Sequence, residues 1–280
     1  MLLAVILELT SQRTAILPSH LGRGNHSLFL DWIAGFDAPL AQAIHDGEGL
    51  RPITCSSLLG ITPTADGLPV RGGAQYSVRL TSLDPALSHQ MEAHLISDPP
   101  ATWKLHGHPF TVSAVVCDPA RNTWSGSTSY ENLASRYLIA GEKPSKSMTI
   151  EFASPTTFKS KEMNVPAPLP GLVFGSLLDR WNAMSAVTLP DDLRTFAEDA
   201  VALSQYQLRT EVVQHKQGSL LIGAVGRVTY RALVDDVYWL ACLNILADFA
   251  FYSGVGAKTS TGLGQCRRIT PHEPRGGESM

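Results

Sequence analysis

Gly254-Val255-Gly256-Ala257-Lys258-Thr259-Ser260-Thr261-Gly262-Leu263-Gly264 stands between an apolar run, Val234 to Tyr252, and a short stretch, Cys266 to Ile269. The apolar run reads as a helix with Asp235 and Asp236 at its start, where carboxylates suit the positive end of the helix dipole. Cys266 to Ile269 reads as a strand. Helix, loop, strand is the closing half of a β-α-β-β-α-β unit, and the upstream sequence supplies the rest. Ser147 to Phe152 reads as the first strand and Leu172 to Met184 as a helix with Val173, Leu177, Leu178 and Trp181 facing inward. Leu208 to Val213 and Leu220 to Ala232 alternate as a hairpin around Gln217 and Gly218.

The same order occurs earlier in the chain. Leu2 to Thr10 reads as strand, and Asn25 can cap a helix from His26 to about Ala34. Asp37 caps a second short helix that Gly47 and Gly49 end. Ile53 to Leu58 and Gln75 to Leu83 read as strands, Pro85 to Leu95 as helix and Phe110 to Cys117 as strand. The fold class expected is therefore α+β, with two tandem ferredoxin-like (RRM-like, βαββαβ) modules at 1–125 and 145–270. The join falls near Gly126 to Pro144, and residues 271–280 are expected to be a disordered tail.

Composition bounds the function. The chain has 280 residues, 44% apolar and 17% charged, enough to bury a core and too apolar for disorder. A net charge of -3 argues against a protein coated in positive charge, but leaves room for a local basic groove. The four cysteines are scattered with no CxxC pair, as expected of reduced core thiols. Met1 to Leu9 lacks a basic leader and carries Glu8, so it reads as a buried strand. Trp239 to Phe251 is too short to span a bilayer. A cytoplasmic location is expected.

The glycine loop invites a phosphate reading. Glycines let backbone approach phosphates closely, Lys258 adds charge, and Thr259, Ser260 and Thr261 add donors. It is not a Walker A loop: Ala257 precedes Lys258, and the loop follows a helix where a P-loop precedes one. A bland reading, a helix cap followed by a hairpin, needs only one of Gly254, Gly256, Gly262 and Gly264.

Here a resemblance enters. Glycine-apolar-glycine, five residues with a basic one, then glycine-apolar-glycine resembles the signature loop of the RAMP superfamily. Further blocks resemble its repeat-processing CRISPR-associated endoribonucleases. They are Leu21-Gly22-Arg23 to Leu30, Leu40 to His45, Leu50-Arg51-Pro52-Ile53-Thr54, and Phe152 to Lys159. Leu169 to Asn182 and Ile222-Gly223-Ala224-Val225-Gly226 with Tyr230 complete the set, in the family's order. The resemblance implies a metal-independent endoribonuclease that cuts CRISPR repeat RNA (pre-crRNA) to guide RNAs. It implies attack by the 2′-hydroxyl, a 2′,3′-cyclic phosphate and a 5′-hydroxyl, with no cofactor and no metal site. The alternative is a non-catalytic RAMP subunit that binds RNA inside a CRISPR effector complex. A small-molecule enzyme of the same fold would need a pocket of convergent charged groups, and the sequence offers none.

The reaction needs a base, an acid and positive charge for the phosphorane-like transition state. His45, at a predicted helix end, is the first catalytic candidate. Arg51, six residues on, stands where the family has lysine, and its guanidinium can hold a phosphate through two hydrogen bonds. His26 is the second histidine; its bland alternative is an exposed first-turn residue. Some members use a tyrosine in the first helix, and the position that would align with it is Leu30. RNA contacts are expected from Arg23, Lys159, Lys161, Lys258, Arg268 and the loop residues. Lys143, Lys146 and Arg267 are weaker candidates. His106 and His108 form an HxH pair that reads as a surface turn, because no carboxylate or cysteine is near. His89, His94 and His215 read as solvent-facing. Partners beyond repeat RNA could include effector-complex subunits; the chain could be monomer or homodimer.

Overall fold

The computed structural model describes residues 1–47, 49–214 and 219–269. The expected tail, His215 and the hairpin turn at Gln217 and Gly218 lie outside the described residues. The first half contains β1 (Leu2–Ser11), β2 (Ala15–Leu17), α1 (Gly22–Ala34), α2 (Ala38–Asp46), β3 (Ile53–Cys55), β4 (Leu68–Val70), β5 (Gln75–Ser82), α3 (Pro85–Met91), β6 (Thr102–Leu105), β7 (His108–Val116) and β8 (Gly126–Thr128). Then come α4 (Tyr130–Leu138), β9 (Ser147–Thr156), β10 (Phe158–Ser160), β11 (Met163–Val165), α5 (Pro170–Met184), α6 (Leu193–Ala200), β12 (Val201–Gln214), β13 (Leu220–Ala232), α7 (Val237–Ser253) and β14 (Cys266–Ile269).

Two antiparallel sheets carry the fold, in the orders β3-β5-β1-β7-β6 and β12-β13-β9-β14. In each, the unit's first strand (β1 or β9) lies between its third and fourth, and the second strand lies outside the third. That shared order is the ferredoxin-like pattern, met twice. β1 explains its own unbroken apolar sequence. Leu3, Val5, Leu7 and Leu9 enter the core beneath α1, while Leu2 and Ala4 enter the core beneath α4 and α7. A strand covered on both faces has no reason to alternate. α7 is buried on nearly every side for the same reason, against α4, α5 and β14. Its start is capped by Asp236, whose Oδ1 accepts from Tyr238 N at 2.9 Å and Trp239 N at 3.1 Å.

Several local expectations change. α1 begins at Gly22, and Asn25 is no cap: it lies inside the helix, fully buried. Its Nδ2 donates to Ser56 O at 3.0 Å and its Oδ1 accepts from Trp103 Nε1 at 3.0 Å. A tertiary use for the amide outweighed the local one. The helix from Pro85 ends as α3 at Met91 and continues as a π-turn over Glu92–Ile96. β3 stops at Cys55, because Ser56 pairs with Gly262 of the glycine loop. Leu208 to Val213 is the end of a longer strand, β12. The stretch between the two sheets is ordered: β8 pairs with β1, and Tyr130, Leu133, Ala134 and Tyr137 of α4 join the core of the second sheet.

Candidate active site

The glycine loop is folded tightly onto the protein. Gly254 N closes α7 by donating to Ala250 O at 2.9 Å, and Val255 N donates to Gly264 O at 2.9 Å. All four loop glycines have positive φ and leave no room for a Cβ, and two of them seat the loop on other parts of the chain. At Gly256 (φ +76°) an added Cβ would lie 2.4 Å from Thr157 O. At Gly262 (φ +97°) it would lie 2.9 Å from Gly22 Cα and 2.7 Å from His20 Cε1. The glycines therefore bring backbone close to protein, seating the loop between the start of α1 and the end of β9. The loop is a wedge that presents Lys258, Ser260 and Thr261 to a cleft. Thr259, expected as an RNA donor, is 3% exposed and packs toward Gly254.

That cleft, of about 320 Å³, is lined by Arg23, His26, Ser27, Leu30, His45, Arg51 and the loop residues Lys258, Ser260 and Thr261. Asp37 sets α2 by accepting from Leu40 N at 2.9 Å, and α2 delivers His45 in its last turn. The chain then turns back through Gly47 and Gly49, so Arg51 Nη2 donates to His45 O at 3.1 Å. Arg51 Nη1 donates to His26 Nε2 at 3.2 Å. Three residues separated by up to 25 positions thus meet through one guanidinium. A nitrogen that accepts from arginine carries a lone pair, so His26 is neutral in this arrangement. Its pKa is pushed down to about 4, first by burial, then by the Arg51 charge and by His45; a Ser260 backbone group works the other way.

His26 is not the exposed first-turn residue of the bland reading: it lies in the second turn of α1 and is 9% exposed. The His45 side chain is 68% exposed, and its Nδ1 lies 2.8 Å from Asp46 Oδ1. That contact, with a second from Gln42, holds the Asp46 carboxyl below its ordinary range.

A second cavity, of about 520 Å³, adjoins the first and shares Arg51, Lys258 and Ser260 with it. It contains Lys159 and Gly256. Lys161 stands exposed in the turn between β10 and β11, outside both cavities. Arg268 is not at either: its Nη1 donates to Tyr137 OH at 3.1 Å and Asp248 Oδ1 at 3.0 Å. Arg267 is likewise spent on Glu151 at 2.9 Å, and Lys146 on Asp235 at 2.7 Å. Arg268 thereby ties β14 to α7, Arg267 ties β14 to β9, and Lys146 joins the loops that precede β9 and α7. His108 is buried and bonds Ser11 Oγ at 2.8 Å, with His106 in the adjoining hairpin turn. Among the described residues no cluster of three His, Cys, Asp or Glu side chains is placed to hold a metal ion. None of their helices is long and apolar enough to cross a membrane.

Sequence reading missed Arg180 and Arg194, which line the larger cavity. Arg180 had a signal: an arginine among Leu177, Leu178 and Trp181 on the inward face of a helix. It is buried, and its Nη2 donates to Gly256 O at 2.8 Å, clamping the loop. Arg194 carried no signal.

Comparisons with known proteins bear on the family and the fold. The family model for CRISPR-associated endoribonuclease Cas6 matches residues 150–266. A Cas6 endoribonuclease of Streptococcus thermophilus is 28% identical over 136 residues, 45% of this chain and 52% of that protein. The aligned part thus spans about half the length of that curated relative. The product complex of Cas6 (TTHB231), a Thermus thermophilus protein, is 28% identical with a TM-score of 0.80, covering 96% of this chain and 100% of that one. A substrate-mimic complex of Cas6 (TTHA0078) is 27% identical with a TM-score of 0.73, covering 96% and 99%. A RAMP protein binding different RNA substrates, 13% identical with a TM-score of 0.61, shares the fold.

Proposed function

We propose that this chain is a member of the Cas6 family of CRISPR-associated endoribonucleases and that it cuts repeat RNA at the cleft between α1, α2 and the glycine loop. The single observation that carries the site is Arg51, bonded at once to the His26 ring and the His45 backbone.

In the reaction proposed, the ribose 2′-oxygen attacks the adjacent phosphorus and the P–O5′ bond breaks, giving a 2′,3′-cyclic phosphate and a 5′-hydroxyl. The nucleophile belongs to the substrate, so the protein has three tasks. A base takes the 2′-hydroxyl proton: neutral His26, which lines the cleft and whose Nε2 lone pair accepts from Arg51, suits that task. An acid returns a proton to O5′: the exposed His45, at the end of α2, suits that one. Arg51 and Lys258 stabilise the charge on the phosphorane oxygens. Arg51 also connects the tasks. A phosphate drawing its guanidinium outward would release the His26 lone pair when substrate is present.

The test is cleavage of the cognate repeat in EDTA, compared with the same RNA carrying a 2′-deoxy nucleotide upstream of the cut. The expected result is cleavage of the first only. Cutting of the deoxy strand would overturn the mechanism. Binding with no cleavage of either would favour the non-catalytic subunit of an effector complex.

A further inference from the structure

We propose that the cavity of about 520 Å³ beside the catalytic cleft is a second phosphodiester subsite, with Arg180 and Arg194 as its additional ligands. The proposal rests on the reading of the chain as a repeat-RNA nuclease, and extends it to the strand beyond the cut. Five cationic side chains line the cavity: Arg51, Lys159, Arg180, Arg194 and Lys258. A single carboxylate, Asp179, faces them. Such an excess of one sign in a concave, partly desolvated space selects an anion. Because Arg51, Lys258 and Ser260 line both cavities, a strand whose scissile phosphate sits at Arg51 continues naturally into this one.

Two features suggest that the cavity is built. Arg180 is 5% exposed, and its Nε has no acceptor among the described residues. Burying a guanidinium with no carboxylate against it is costly, and a bound phosphate oxygen offsets that cost. Arg194 lies flat on α5 because residue 175 is glycine: a Cβ there would come 2.2 Å from Arg194 Nη1. Glycine inside a helix is unfavourable relative to alanine. Arg194 Nη2 is held by Gly175 O at 3.3 Å and by Asp179 Oδ1 at 2.6 Å.

Asp179 supplies the discriminating test. If its pair with Arg194 only braces α6 on α5, losing either partner has the same consequence. If the cavity binds phosphate, the two losses act in opposite directions. Binding of a repeat RNA made non-cleavable by a 2′-deoxy nucleotide is measured by fluorescence anisotropy across a salt series, for wild type, Arg194→Gln and Asp179→Asn. Arg194→Gln should weaken binding several-fold and lower the salt slope by ~0.7, one single-strand phosphate contact. Arg194→Lys should restore the slope, and Asp179→Asn should tighten binding. Shifts of both variants in one direction, or no shift in either, overturn the subsite. Inorganic phosphate separates the sources. If it erases the Arg194→Gln difference while RNA stays bound, the cavity holds a free anion and the strand subsite is wrong. Because the RNA is not cut, failure of the catalytic mechanism would appear separately, in the EDTA cleavage assay.

Discussion

Replacing Arg51 by glutamine should raise the pKa of His26, and the structure sets the size of the change. His26 sits at about 4 in place of the ordinary 6.5, with burial the largest cause and the Arg51 charge the second. The whole depression corresponds to about 3 kcal/mol. As the second of three depressing causes, Arg51 accounts for less than half, on the order of one pH unit or ~1.4 kcal/mol. Coulomb's law gives the same scale: charges ~4 Å apart interact by ~1 kcal/mol in water and ~4 kcal/mol at an effective dielectric of 20. The partly exposed Arg51 falls near the weaker end. The assay is a pH titration of the histidine Cε1–H resonances of the free protein by NMR. His26 is expected to titrate near 4 in the wild type and roughly one unit higher in Arg51→Gln. Arg51→Lys should keep the wild-type midpoint. A wild-type midpoint near 6.5, or no movement in Arg51→Gln, would refute the argument that Arg51 holds His26 neutral.

His26 also predicts how stability follows pH. Its folded pKa is lower than the unfolded value, so its contribution is complete above 6.5 and lost as pH falls through 4. Unfolding free energies from urea titrations should fall across that window by up to about 3 kcal/mol, and His26→Asn should abolish this part of the slope. His45→Ala should lose ~10²–10⁴ in single-turnover rate while RNA affinity holds; an unchanged rate would move the acid elsewhere. Gly262→Ala should unseat the loop, lowering both stability and RNA binding, since its Cβ would meet Gly22 Cα at 2.9 Å; a variant with wild-type melting and binding would contradict the wedge. Arg79 is buried in β5 and donates to Trp124 O at 2.7 Å, Gln265 Oε1 at 2.7 Å and Phe251 O at 2.6 Å. Arg79→Ala should cost on the order of 3–5 kcal/mol in urea unfolding by stranding these acceptors, and a loss below about 1 kcal/mol would rule out that role.

The sequence alone determined what depends on neighbours along the chain. Apolar runs and alternation marked the eight strands of the two βαββαβ units and the long buried α7, but not β6 or β8. Asp37 and Asp236 marked two helix starts, because a cap reaches only two or three residues ahead. The turn from His45 to Arg51 was legible too, since glycines punctuate it within six positions. Only the tertiary structure decided where the same residue types would be spent. Arg268 and Lys146 resemble Lys159 in sequence, yet the first two close ion pairs while Lys159 faces a cavity. Asn25 looked like a cap until Trp103 and Ser56 claimed its amide. The loop glycines looked like a phosphate cradle, and proved to be the positions where two backbones touch. His26 met Arg51 only because α1 and the turn after α2 pack together. Charge, burial and hydrogen bonding act through space over a few ångströms, and sequence separation does not report that distance.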